Sequence, residues 1–367
     1  MQNQSYILSV IDMYVNAALH KFEIVVKALA VIMLCALLLL FSESCSGGAQ
    51  NGIKFCLNVL IPSLFPFMAA SSFLIKSGLS EQIGKPFAKI TKAVFGLNGN
   101  FAPIIILSMI GGYPVGARGI SALKKYGAAS ESEVKKAAMF AVCAGPGFIV
   151  NFVGVSLYHN ETIGMIILIS QIISVIILGI LINLFDRKNS NNNFFIAKKN
   201  TLPFSTALVE AAADSSKGML GICSFVIIFS AYTAIFGEII NDSLTQNLIF
   251  CLLEVCSAVN NISQNSPVEL VAFAIGFGGL CVHFQIFSAL GDIKINKLIF
   301  FIIRIIQGAI TALLTHIGLM LFIGETAVFS TSSVENADVF NGSIISGAVL
   351  ICVAICFLFT LKSYRTN

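Results

Sequence analysis

Charge is scarce in this chain. Asp, Glu, Lys and Arg make up 11% of its 367 residues, against about 25% in a soluble domain. With 57% of the chain hydrophobic, this excludes a soluble fold and leaves one polytopic membrane domain. Other absences exclude chemistries. There is no P-loop, no G-x-S-x-G and no H-E-x-x-H, so neither an enzyme nor an ATP-driven pump is expected from this chain. Ten cysteines are present, but there is no C-x-x-C pair. His20, His159, His283 and His316 are scattered, so no metal site and no cofactor is expected. Buried thiols acting as small hydrophobes account for the cysteines. The net charge of +4 sits mostly in loops, where it reports orientation and not a nucleic-acid partner.

What is present is a repeated interruption. Residues 111–123 read GGYPVGARGISAL, inside the apolar run 101–123. Residues 278–290 read GGLCVHFQIFSAL, at an offset of 278 − 111 = 167. Six of thirteen positions match without a gap, where unrelated segments would match at roughly one, which marks an internal repeat. A helix breaks at bilayer depth only where the freed backbone groups meet protein or a water-filled cavity. Two half-molecules with glycine-broken segments in corresponding places point to a transporter binding site.

The expected architecture is all-α: a polytopic membrane protein with two inverted repeats, each containing a re-entrant helical hairpin, over 101–123 and 268–290. Residues 1–50 hold an interfacial helix (1–20) and a first span (22–41), with no cleaved signal peptide. Repeat 1 covers 51–185: a kinked span at 53–75 bearing Pro62 and Pro66, an interfacial helix at 80–97 with Lys85, Lys89 and Lys92, the first hairpin, a span at 137–158 unwound at Gly145-Pro146-Gly147, and a plain span at 162–185. A cytoplasmic linker covers 186–217. Repeat 2 covers 218–362, with spans at 218–240, 298–322 and 344–361 and an acidic loop at 324–343. Lysine-rich loops at 85–92, 124–136 and 187–199 are read as cytoplasmic, and 42–52 as a loop on the other side. Inversion places Lys294 and Lys297 outside, against the positive-inside rule. That rule prefers an extra span at 246–262, but the repeat is the stronger signal.

Candidate binding residues follow from the breaks. Gly111, Gly112, Gly278 and Gly279 place helix ends and free N–H groups at the hairpin tips, with Tyr113 beside them, suited to an anionic group. Arg118 is either a snorkelling arginine or an anion ligand, since a guanidinium matches a carboxylate bidentately. His283 and Gln285 repeat its place in the second half and read as ligands, the other reading of His283 being a hydrogen bond to a neighbouring helix. Asn151 either binds substrate or a coupling ion, or satisfies unwound backbone; the coupling ion would be a proton or sodium. Glu254 is an interfacial residue or an ion site. Arg304 either pairs with Glu254 or meets substrate.

VLIPSLFPF at 59–67, GGYPVGAR at 111–118, Gly145-Pro146 with Asn151, and GGLCVHFQ at 278–285 together resemble the YlbJ family of sporulation integral membrane proteins, which carry nucleoside-recognition gate domains. The order of elements is also similar to concentrative nucleoside transporters. The resemblance implies a multipass protein of a bacterial cell membrane, or of the outer forespore membrane. It implies transport of dipicolinic acid, a small planar dianion, by alternating access. Gly145-Pro146 departs from the Asn-Pro usual in that family and counts against an ion site there. The other readings are a nucleoside or other metabolite carrier and a non-transporting scaffold for the spore envelope. The partners expected are a small anionic substrate and the lipid bilayer, with an oligomer left open.

Overall fold

The computed structural model describes residues 21, 24–29, 31–186, 201–262 and 267–323. The interfacial helix expected over 1–20, most of the linker, the acidic loop at 324–343 and the last span at 344–361 lie outside them. The described chain is helical, with no strand. It runs α1 (Ser42–Lys76), α2 (Leu79–Gly84), α3 (Ala88–Phe95), α4 (Phe101–Gly111), α5 (Tyr113–Lys125), α6 (Glu131–Phe140), a π-helical α7 (Gly147–Leu157), α8 (Glu161–Asp186), α9 (Phe204–Ile239), α10 (Ser243–Leu253), α11 (Val255–Ile262), α12 (Val268–Phe277), α13 (Gly279–Leu290) and α14 (Lys297–Phe322). Among the described residues, five segments are long and apolar enough to cross a membrane: α1, α8, α9, Val268–Leu290 and α14. Their outer faces carry exposed Leu, Ile and Val, as at Leu298, Ile302, Ile306 and Leu313 on α14. Lipid accepts such a face.

Two boundaries differ from the sequence reading. The stretch 42–52 is helical and opens α1. It is held by close packing on α9: a Cβ at Gly48 would lie 2.6 Å from the Ser230 carbonyl, and one at Gly52 would lie 3.0 Å from the Ile227 Cα. Small residues let the two backbones approach that closely. Likewise α9 begins at Phe204, after Pro203, inside the stretch read as linker. Its early polar residues Glu210 and Asp214 bond Lys76 at the end of α1.

Residue numbers rise along α1 as they fall along α9. Gly48 lies on Ala231, Gly52 on Ile227, Phe73 on Phe204 and Lys76 on Glu210. The helices are therefore antiparallel. They meet at Cys56, whose thiol faces the Cys223 carbonyl at 4.0 Å, and 223 − 56 = 167. The same offset recurs in element bounds. Ala88–Phe95 is followed by Val255–Ile262, where 255 − 88 = 167 and 262 − 95 = 167. Phe101 and Val268, which open α4 and α12, are 268 − 101 = 167 apart.

The breaks fall at the glycine pairs. Gly112 has φ 92° and ψ 179°, a region open essentially to glycine alone. Beyond it α5 folds back along α4: Gly116 faces Ser108 and Gly119 faces Ile104, each closer than a Cβ would allow. Ser108 donates to the Ala141 carbonyl at 2.9 Å, tying this helical pair to residues 141–145, which are not helical. At the second break Gly278 and Gly279 have φ 88° and 73°. There α12 packs against α14, while α13 packs against α5, α9 and α10.

Candidate functional site

A cavity of about 140 Å³ opens where α5, α9 and α13 meet, lined among others by Arg118, Lys217, Gln285 and Ser288. Arg118 and Gln285 stand 285 − 118 = 167 apart, so the corresponding positions of the two halves face one space. Each is set by its helix. Arg118 lies in the second turn of α5, beyond the Gly112 break. The Gln285 side chain is buried on α13, its amide held by a 3.3 Å contact to the Cys281 sulfur one turn back.

The Arg118 guanidinium lies flat on Gly218: a Cβ there would sit 2.2 Å from its Nη1 and 2.3 Å from its Cζ. It donates to the Asp214 backbone carbonyl at 2.6 Å. Among the described residues it has no carboxylate in ion-pair range. Gly218→Ala should therefore swing Arg118 off its seat and, if the site takes a carboxylate, weaken binding by about tenfold. Anion titration of the variant checks this.

Lys76 is tied to Asp214, the residue whose backbone carbonyl holds Arg118. It is 2% exposed, bonds the Asp214 carboxylate and lies 3.3 Å from Glu210. Tyr126 donates to the same Glu210 at 3.4 Å. Burial, reinforced by the Glu210 and Asp214 carboxylates and opposed by Lys76, holds the Tyr126 phenol above its ordinary range.

The other expected residues lie elsewhere. Gly111, Gly112 and Tyr113 form the first break, packed on Phe67, Leu64 and Gly145, and the Tyr113 hydroxyl donates to the Ile275 carbonyl. Gly278 and Gly279 form the second break. His283 is buried beside that break, with Nε2 3.0 Å from the Phe277 carbonyl and its ring edge-on to Phe277, Phe300 and Phe301. Asn151 is exposed on α7. Glu254 does not meet Arg304: it accepts from the Cys256 and Ser257 N–H groups at 2.8 and 2.6 Å and caps α11. Arg304, fully buried, bonds the carbonyls of Gly276, Phe277 and Val142 and the Gln307 amide oxygen, and lies 5.5 Å from the Tyr113 ring centre. It therefore joins both breaks. No signal in the sequence singled out Lys217 or Ser288, because their place depends on how α9 and α13 pack.

These features define a multipass, all-helical membrane protein with helices broken at corresponding places and a cationic cavity between them. Comparison with known proteins agrees. Residues 57–157, from the middle of α1 to the end of α7, match the Gate family, described as nucleoside recognition. The chain is similar to the sporulation integral membrane protein YlbJ of Bacillus subtilis (strain 168), 21% identical over 338 residues, covering 80% of this chain and 82% of that protein. Both findings support the family to which the motifs pointed. No solved structure matches.

Proposed function

We propose that the protein carries a small anionic solute across a membrane, dipicolinic acid being the first candidate and the outer forespore membrane during sporulation its setting. The observation that carries this reading is the shared cavity. Arg118 and Lys217 bring two positive charges to it, and Gln285 and Ser288 bring neutral hydrogen-bonding groups. No carboxylate of the described residues lines it. A guanidinium that lacks a carboxylate partner in low dielectric favours a carboxylate from outside.

The mechanism we propose is alternating access about two inverted repeats, with the broken segments as re-entrant hairpins. The antiparallel crossing of α1 and α9 at Cys56 and Cys223 supports inversion. Corresponding helices that cross antiparallel at corresponding residues are related by an axis perpendicular to them, which lies in the membrane plane if they span. A proton or sodium ion would couple the cycle. In this reading the chain is a carrier and not an enzyme.

Uptake of labelled dipicolinate into vesicles tests the reading. Arg118→Ala is expected to lower uptake by at least about tenfold and Gln285→Ala by less. Unchanged uptake in both variants rejects the site. The description of the Gate family favours a second reading, a nucleoside carrier. That predicts uptake of labelled uridine, and none of dipicolinate, by the intact protein. Uptake of neither solute by the intact protein would sink both and put the spore-envelope scaffold first.

A further inference from the structure

Arg118 has a potential competitor for its ligand close by, and the competitor is otherwise engaged. Its Nη2 bonds the backbone carbonyl of Asp214 at 2.6 Å, and the carboxylate of that residue is close enough to act electrostatically on the guanidinium. That carboxylate is instead bonded to Lys76. Lys76 is almost wholly buried and is itself held by Glu210 at 3.3 Å and by the Tyr126 ring, whose centre is 6.0 Å away. A buried ammonium keeps its carboxylate partners because desolvation leaves it no alternative.

We infer that Lys76 is a positioning residue for the anion site. By sequestering the Asp214 carboxylate, it keeps Arg118 free for a carboxylate from outside. Without Lys76, the cations left acting on Asp214 are Arg118, which is half-buried, and Lys125, which is exposed and screened by water. An ion pair between Asp214 and Arg118, even though both groups are half-exposed, would occupy the guanidinium and block the site from within. Lys217, one turn further along α9, is exposed and competes less well because water screens it. The inference rests on the proposed role of Arg118, and the experiment separates the two.

The full chain is placed in nanodiscs and titrated with radiolabelled dipicolinate. Lys76→Met is expected to raise Kd about tenfold, and Lys76→Met with Asp214→Asn to return it close to the starting value. Arg118→Gln should abolish binding in every background. Unchanged binding in Arg118→Gln, or no binding by the intact chain, overturns the site reading. Loss in Arg118→Gln with no change in Lys76→Met overturns only the role of Lys76.

A readout without ligand is the rate at which phenylglyoxal modifies Arg118, followed by mass spectrometry. It should slow in Lys76→Met and recover in the double variant. Equal rates in all three proteins overturn the inference. Should Lys76→Met fail to fold, Asp214→Asn alone decides. Binding at least as tight as in the intact chain agrees with a removed competitor, whereas weaker binding shows that the carboxylate serves the site.

Discussion

Replacing Arg304 by Leu should destabilise the protein by about 2–5 kcal/mol, seen as a fall of at least about 5 °C in apparent Tm in detergent. The guanidinium makes four bonds, among them 2.7 Å to the Val142 carbonyl and 3.2 Å to the Phe277 carbonyl. A hydrogen bond inside a membrane protein averages about 0.6 kcal/mol, because the alternative state also finds partners. Four would give about 2.4 kcal/mol, near the lower end of that range. The rest comes from what is left behind. Three of the acceptors are carbonyls, which no substitution removes, and each stranded acceptor adds a desolvation penalty. For that reason the usual tolerance of buried charges to apolar replacement does not extend to this site. Arg304→Lys keeps the charge but cannot reach all four acceptors, so it should recover only part of the loss. An unchanged Tm in Arg304→Leu would mean that the breaks hold together without it.

The second large effect is expected at Gly116. A Cβ there would lie 2.3 Å from the Ala141 carbonyl oxygen and 2.4 Å from the Ser108 hydroxyl. Those two atoms are bonded to each other, so neither yields cheaply. Gly116→Ala should push α5 away from α4 and from the 141–145 segment, at about 1–3 kcal/mol or more. Since Arg118 rides on the same helix two residues on, anion binding should fall together with stability. Gly221→Ala is the control. A Cβ there meets nothing within 4 Å, although it borders the same cavity, so Tm should stay within about 0.5 kcal/mol equivalent. Equal Tm values for the two variants would refute the packing account.

The breaks were legible from sequence because a glycine pair weakens a continuous helix, and an apolar run that carries one twice at the same offset marks a turn of the backbone. Positive φ at Gly112, Gly278 and Gly279 is the backbone state such pairs permit. Arg118 stood out by its charge beside the first break, and Gln285 by the repeat that carries that place into the second half. The start of α1 was not, because SESCSGGAQNG has the composition of a loop; its helix is made by contact with α9. The polar start of α9 was hidden for the same reason, since Glu210 and Asp214 look like linker residues until Lys76 is found beneath them. Arg304 resisted interpretation because its partners are main-chain oxygens freed by breaks elsewhere, and sequence spacing marks only side chains.

Where a surface meets its own counterpart across a dyad, any change in a single ancestral copy would strike both sides at once. Under the inverted-repeat reading proposed above, an arginine at position 118 would then have faced a second arginine, and two like charges would have crowded one small chamber. Joining both copies in one polypeptide removes that constraint. One side can keep the cation while the other turns to a neutral amide, as at Gln285. A lopsided chamber is thus something a linked pair can evolve and a self-associating single copy cannot.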